Sequence, residues 1–329
     1  MPRPPLPVLV APDAFKGTLE APRVAGAIVR GLAAEGVEAV SCPVADGGEG
    51  TLDVLVAALG GEILEADAHD PLGRPVRGRY AILAGSGDGL VEVAQASGLT
   101  LVGEHERDAE RASSAGTGEL IVAARRRGAR RILVAAGGSA TTDGGAGALG
   151  AIRRAGGLGA TGLTVLCDVR TPFEHAAALF APQKGAGPEA VSRLRTRLGR
   201  LARSWPRDPR GVPMTGAAGG LAGGLWAVLG ARLVGGAPFV LGALGFDGRL
   251  RGARAVVTGE GRLDAATLDG KLVAEVAVRA RQMGVPAHAI VGQAALDPFE
   301  ARILDLQHIL EAGSEAELAR AGRQLAGRL

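Results

Sequence analysis

Asparagine is missing from this 329-residue sequence and lysine occurs only three times. Aromatic residues make up only 3%, so any core must be built from Ala, Val, Leu and Ile. The two cysteines, Cys42 and Cys167, lie far apart and form no CxxC pair. That excludes a zinc cluster and a disulfide scaffold and fits a reducing, cytoplasmic setting. An excess of one charge sign is also lacking. With 37 Lys+Arg against 34 Asp+Glu, the net charge of +3 is too balanced for a nucleic-acid binder. The N-terminus has no apolar run long enough for a signal peptide. The most membrane-like stretch, Gly216 to Phe246, is studded with glycine and broken by Pro238. A buried glycine-rich loop and helix is therefore expected, with no membrane partner. What remains, 47% apolar and 22% charged residues, is the make-up of a folded globular chain of about two domains.

Lys16, Lys184 and Lys271 stand against 34 arginines. Codon bias accounts for a general drift to Arg, which is harmless wherever any cation serves. The three survivors are then candidates for sites that need a compact ammonium. All three sit beside glycine, in Phe15-Lys16-Gly17, Gln183-Lys184-Gly185 and Gly270-Lys271.

Short β-branched runs alternate with amphipathic Ala/Leu/Arg runs, which predicts an α/β protein with largely parallel sheets. The pattern predicts strands over 8–11, 39–44, 131–136, 163–168, 253–258 and 287–291. It predicts helices over 21–35, 51–59, 118–127, 188–204, 271–283 and 315–328, the last capped by Ser314. Residues 79–84 and 90–94, joined by Gly85-Ser86-Gly87-Asp88-Gly89, read as a hairpin, so part of one sheet should be antiparallel. The arginines closing the helix at 125–127 read as a solvated end that complements the helix dipole.

Glycine-rich junctions recur at strand ends: Asp46–Gly50, Gly137–Gly147, Gly216–Gly224, Thr258–Gly261 and Pro182–Gly187. A strand that turns through Asp-Gly-Gly into a helix offers bare amides to an anion, and its aspartate can hold Mg²⁺ or orient a hydroxyl. Ordinary turns and helix N-caps are the plainer reading of any single loop, and Asp46 and Asp143 are both well placed as caps. Together, acid, glycine and lysine at strand ends point to a phosphorylated ligand. No Walker A loop fits, because Lys271 is followed by Leu272. Gly259-Glu260-Gly261-Arg262-Leu263-Asp264 fails as a dinucleotide fingerprint because it ends in Asp.

In their order along the chain, these motifs resemble those of the bacterial type I glycerate kinases. The resemblance covers Ala11–Thr18, Pro43–Thr51, Gly137-Gly138-Ser139-Ala140 with Asp143-Gly144-Gly145, and Cys167-Asp168-Val169. It continues through Pro182–Gly185, Gly216–Gly220, Thr258–Asp264 and Gly270-Lys271. It implies phosphorylation of D-glycerate by ATP with Mg²⁺, the 2-phosphate being favoured, in two unlike α/β domains with the active site in the cleft between them. One domain should be built from both chain ends, 1–66 plus 286–329, with 67–285 inserted. Thr142 departs from the family pattern, standing where the family carries Asn.

On this basis Lys16, Asp46, Asp143 and Asp168 are the catalytic candidates, with Asp143 and Asp168 as the expected Mg²⁺ ligands. Substrate and nucleotide contacts are expected from Asp13, Gly47, Gly48, Glu49, Ser139, Gly144, Gly145, Lys184, Gly219, Gly220, Thr258, Glu260, Asp264 and Lys271. Glu65–Pro71 and Gly284–Pro286 are the expected hinges. Whether the chain forms a homodimer is left open. Two alternatives share the fold class: an NAD-linked oxidoreductase of a small hydroxy acid, and a two-lobed binding protein for a small anion.

Overall fold

The computed structural model describes residues 5–269 and 271–329. It divides into two compact units, one made of the chain up to Asp46 with Val240–Leu329, the other of Gly47–Phe239.

The first unit is built on a five-stranded parallel sheet. Its strand order is Leu306–Glu311, Ala287–Val291, Ala255–Gly259, Val8–Pro12, Ala39–Ser41. The three central strands are buried along their whole length, which is why VLVAP, AVVTG and AHAIV read as unbroken apolar runs. Helices Ala21–Ala34 and Glu315–Ala326 pack on one another, and Ser314 caps the second by accepting the Glu317 amide. Their contact is set by glycine, because a Cβ on Gly31 would lie 2.1 Å from the Ala319 carbonyl oxygen. Gly→Ala inside a helix ordinarily gains a few tenths of a kcal/mol or more. Here the two helices must move apart, so Gly31→Ala is expected to destabilise by about 1–3 kcal/mol in a denaturant titration.

The second unit is built on a six-stranded mixed sheet in the order Gly61–His69, Pro75–Leu83, Gly89–Glu92, Arg131–Ala135, Gly162–Cys167, Arg232–Gly235. The first three strands are antiparallel neighbours and the rest run parallel. Helix Ala115–Arg126 packs chiefly on the antiparallel side of this sheet, and helix Ala146–Arg154 packs closely on it in turn. A Cβ on Gly118 would meet the Ala148 carbonyl oxygen at 2.5 Å. No helix among the described residues is long and apolar enough to cross a membrane.

Three expectations are corrected. The units divide at Asp46/Gly47 and Phe239/Val240, and not near residues 66 and 286. The reason is the nine-residue strand Gly61–His69, which pairs with Pro75–Leu83 from end to end and so ties 61–66 into the second unit. Its alternation of charged and small residues is the period of a strand exposed on one face. For the same reason Glu65–Pro71 is no hinge. Gly284, at φ +68°, simply ends helix Leu272–Met283 inside the first unit.

Candidate functional site

Each unit gathers its polar residues at the carboxyl ends of its parallel strands, where sheets of this kind bind ligands. In the first unit, Asp13 follows strand Val8–Pro12, and its amide is bonded to the Gly259 carbonyl at 2.8 Å. Lys16 lies on the next turn, and its Nζ meets Asp46 Oδ2 at 2.7 Å. The carboxylate is buried and the ammonium half-exposed. Glu260 follows strand Ala255–Gly259 and accepts the Thr267 hydroxyl at 2.7 Å. Asp264 stands 4.0 Å from Lys271 and 3.5 Å from Arg262. Asp13, Lys16, Asp46, Glu260, Asp264 and Lys271 all line one cavity of about 440 Å³.

Crowding acids in a buried place raises their pKa values. Burial, then the nearby Asp46 carboxylate, pushes the Asp13 carboxyl well above the usual range, with Lys16 opposing. Glu260 is pushed up to about 7, again chiefly by burial, while the Thr267 hydroxyl and Lys271 oppose the rise. Between pH 4.5 and 7 the folded protein therefore holds a proton on Glu260 that the unfolded chain has released. Its contribution to stability must fall as pH rises through that window. Glu260→Gln removes the group. The loss of unfolding free energy between pH 5 and pH 7.5 is expected to be smaller in this variant than in the parent by on the order of 2 kcal/mol. Thermal melts at the two pH values check this. Thr267, which sets one oxygen of Glu260, was not singled out in the sequence. Its position three residues beyond Asp264, whose amide it accepts at 3.2 Å, is the only local signal.

In the second unit, Lys184 is buried, and its Nζ donates to Ser139 Oγ at 2.9 Å and to the Thr141 carbonyl at 2.6 Å. Burial holds its pKa down to about 8 against the pull of Asp143 and Asp168. Ser139, Asp168, Lys184, Gly138 and Gly219 line a cavity of about 210 Å³. The Gly47–Gly50 loop packs beside these residues. A Cβ on Gly47 would lie 2.6 Å from Gly236 Cα, one on Gly137 2.5 Å from Gly48 Cα, and one on Gly138 3.8 Å from Glu49 Oε2.

Several expected roles change. Asp143 is buried, and its two oxygens take four donors: the Ser114 amide and hydroxyl and the amides of Gly145 and Gly147, all at 2.8–3.0 Å. A carboxylate has about four acceptor positions, so Asp143 is filled as the clamp of a helix start and is withdrawn as a metal ligand. The Gly144 and Gly145 amides are also engaged, by the Gly219 carbonyl and by Asp143. They cradle protein, not phosphate. Gly219 is needed for close approach, since its Cβ would fall 1.9 Å from the Thr141 carbonyl oxygen, and the Gly220 amide bonds Gly216. The Thr258 hydroxyl is buried without a partner among the described residues, as is that of Thr142. Gly270 lies outside the described residues.

A further cavity of the second unit, about 750 Å³, lies elsewhere, with a mixed polar and apolar lining. There His69 is engaged by Glu119 and Arg77 by Asp67. Among the described residues no three His, Cys, Asp or Glu side chains are grouped to hold a metal ion by themselves.

The profile of the glycerate kinase family matches residues 8–157 and 153–322. The chain belongs to the glycerate kinase family. It is 36% identical to a glycerate kinase of Bacillus subtilis (strain 168), over 88% of this chain and 86% of that protein. It is also 36% identical to a glycerate 2-kinase of Escherichia coli K12, over 87% and 84%. A crystal structure of a candidate glycerate kinase 2 from Salmonella typhimurium LT2 superposes with a TM-score of 0.80 at 32% identity, covering 99% of this chain and 98% of that one. Membership in a kinase family leaves the oxidoreductase and binding-protein alternatives without support. The protein is a kinase, a phosphoryl-transferring enzyme.

Proposed function

We propose that this glycerate kinase family member transfers the γ-phosphate of ATP to the 2-hydroxyl of D-glycerate, with Mg²⁺, in the cytoplasm. The observation that carries this reading is the placement of the lysines. In a chain that uses arginine almost everywhere else, Lys16 and Lys271 line the acid-rich cavity of the first unit and Lys184 lines the small cavity of the second. Phosphoryl transfer asks a protein mainly for positioning and charge stabilisation, which compact ammonium groups supply.

Asp168 fits Mg²⁺. It is a partly exposed carboxylate beside Ser139 and Lys184, and Mg²⁺ commonly takes one or two protein carboxylates together with phosphate oxygens and water. When bound, the ion neutralises charge on the phosphates. Two of the three Lys184 donors are spent on Ser139 and Thr141, leaving one for a phosphate oxygen. In the first unit Asp46 accepts the proton of the attacking hydroxyl. Lys16 pairs with that carboxylate and brings its positive charge to the cavity, where it attracts the substrate carboxylate. Asp13, buried beside Asp46 with its pKa raised by burial, lines the same cavity and offers a polar contact to the substrate.

Release of ADP on mixing enzyme, ATP, Mg²⁺ and D-glycerate tests the reading. It should require both the acid and the metal, with no change in absorbance when NAD(H) replaces ATP. ADP formed equally fast without glycerate would contradict it.

A further inference from the structure

The family reading does not use Glu92. This residue ends strand Gly89–Glu92 and is 1% exposed. Its Oε1 accepts the Leu52 amide at 2.7 Å, and its Oε2 accepts Gln95 Nε2 at 3.2 Å. Leu52 is the second residue of helix Thr51–Leu59, which begins directly after the Gly47–Gly50 loop. A helix start exposes amides that attract an anion. Here the protein supplies its own anion from 40 residues away. The loop's other side is pinned by close backbone packing, Gly47 against Gly236 and Gly48 against Gly137. Glu92 is therefore the polar tether on the helix side of the loop.

We propose that Glu92 is a positioning residue for the Gly47–Gly50 loop, acting through the Leu52 amide, and that the loop is held firmly only while this carboxyl is charged. The role in catalysis rests on the reading of that loop as part of the kinase site. The groups that face Glu92 set where the switch falls. Burial raises its pKa to about 7, the bonds from Leu52 and Gln95 oppose the rise, and the Asp53 and Glu49 carboxylates add to it. Asp53 is itself paired with Arg79 at 2.5 Å, on the neighbouring strand. Protonation leaves Glu92 a neutral acceptor, and a charge-assisted hydrogen bond is about twice as strong as a neutral one.

Hydrogen exchange of the intact enzyme without substrates, followed by mass spectrometry from pH 6 to pH 8, reads the tether directly. With rates corrected for intrinsic chemistry, protection of peptides spanning residues 47–55 should rise about tenfold across that range. In Glu92→Gln, which mimics the protonated form, protection should be low and flat with pH. Gln95→Leu keeps the carboxyl but removes a donor to it, so the midpoint should move to higher pH. Flat protection in the parent, or a parental rise retained in Glu92→Gln, overturns the proposal. Phosphorylation of glycerate should follow the same midpoint in kcat/KM and lose that limb in Glu92→Gln. If exchange shows the switch and activity does not, the tether stands, and the catalytic role of the loop is what fails.

Discussion

Asp46→Asn is expected to lower kcat by about 10³-fold, within the 10²–10⁴ range typical of losing a general base. The substitution preserves shape and removes the carboxylate charge that meets Lys16 at 2.7 Å. The carboxylate is buried while the ammonium is half-exposed, so some loss of stability beyond that of a fully exposed pair accompanies the change, and the kinetics are read on the folded variant. A second readout separates the roles of Asp46. Its charge is the second largest cause, after burial, of the raised Asp13 pKa, so in Asp46→Asn the Asp13 carboxyl should titrate at lower pH by NMR. Steady-state kinetics on a folded variant that retained near-parental kcat would remove Asp46 from the chemistry.

Lys184→Arg should lose on the order of 10²-fold in kcat/KM, the usual cost of displacing one preorganised charge contact from a transfer site. A guanidinium is longer and planar. It cannot place one nitrogen 2.9 Å from Ser139 Oγ and 2.6 Å from the Thr141 carbonyl in a site that leaves the side chain 2% exposed. The three lysines are not equivalent in this respect. Lys16 and Lys271 have 47% and 30% of their side chains exposed and have room to accommodate a larger head, so Lys184 should be the least tolerant of the three. Arg200→Lys, on an exposed helix face, is the silent control. Kinetics on variants checked by circular dichroism decide the matter, and near-parental activity in Lys184→Arg would make the lysine pattern a relic of codon drift.

Much of this architecture is written in local patterns. Strand Ala287–Val291 and helices Thr51–Leu59 and Pro188–Ser204 fall where periodicity places them, because each is fixed by its own apolar face and a flanking turn residue. Gly61–His69 is a different case, since the sequence there suggests a hinge over Glu65–Pro71 where the fold has a strand. Its apolar content is low, and its pairing with Pro75–Leu83 is a contact between segments that composition does not reveal. The same division runs through the site. Lys16, Asp46, Glu260, Asp264 and Lys271 are collected at strand ends that the sequence marks with glycine and charge. By contrast, Ser114 closing on Asp143 and Glu92 closing on Leu52 are buried partnerships across 29 and 40 residues. Sequence shows that an aspartate before two glycines can either hold a metal or cap a helix. Only the four donors around Asp143 choose the cap.

Phosphorus NMR of the reaction with ATP, Mg²⁺ and D-glycerate tests the central claim most directly. The account predicts a phosphomonoester signal coupled to the C2 proton of glycerate, growing in step with ADP. Folded enzyme that yields only ADP and inorganic phosphate, or no turnover of ATP at all, would contradict it.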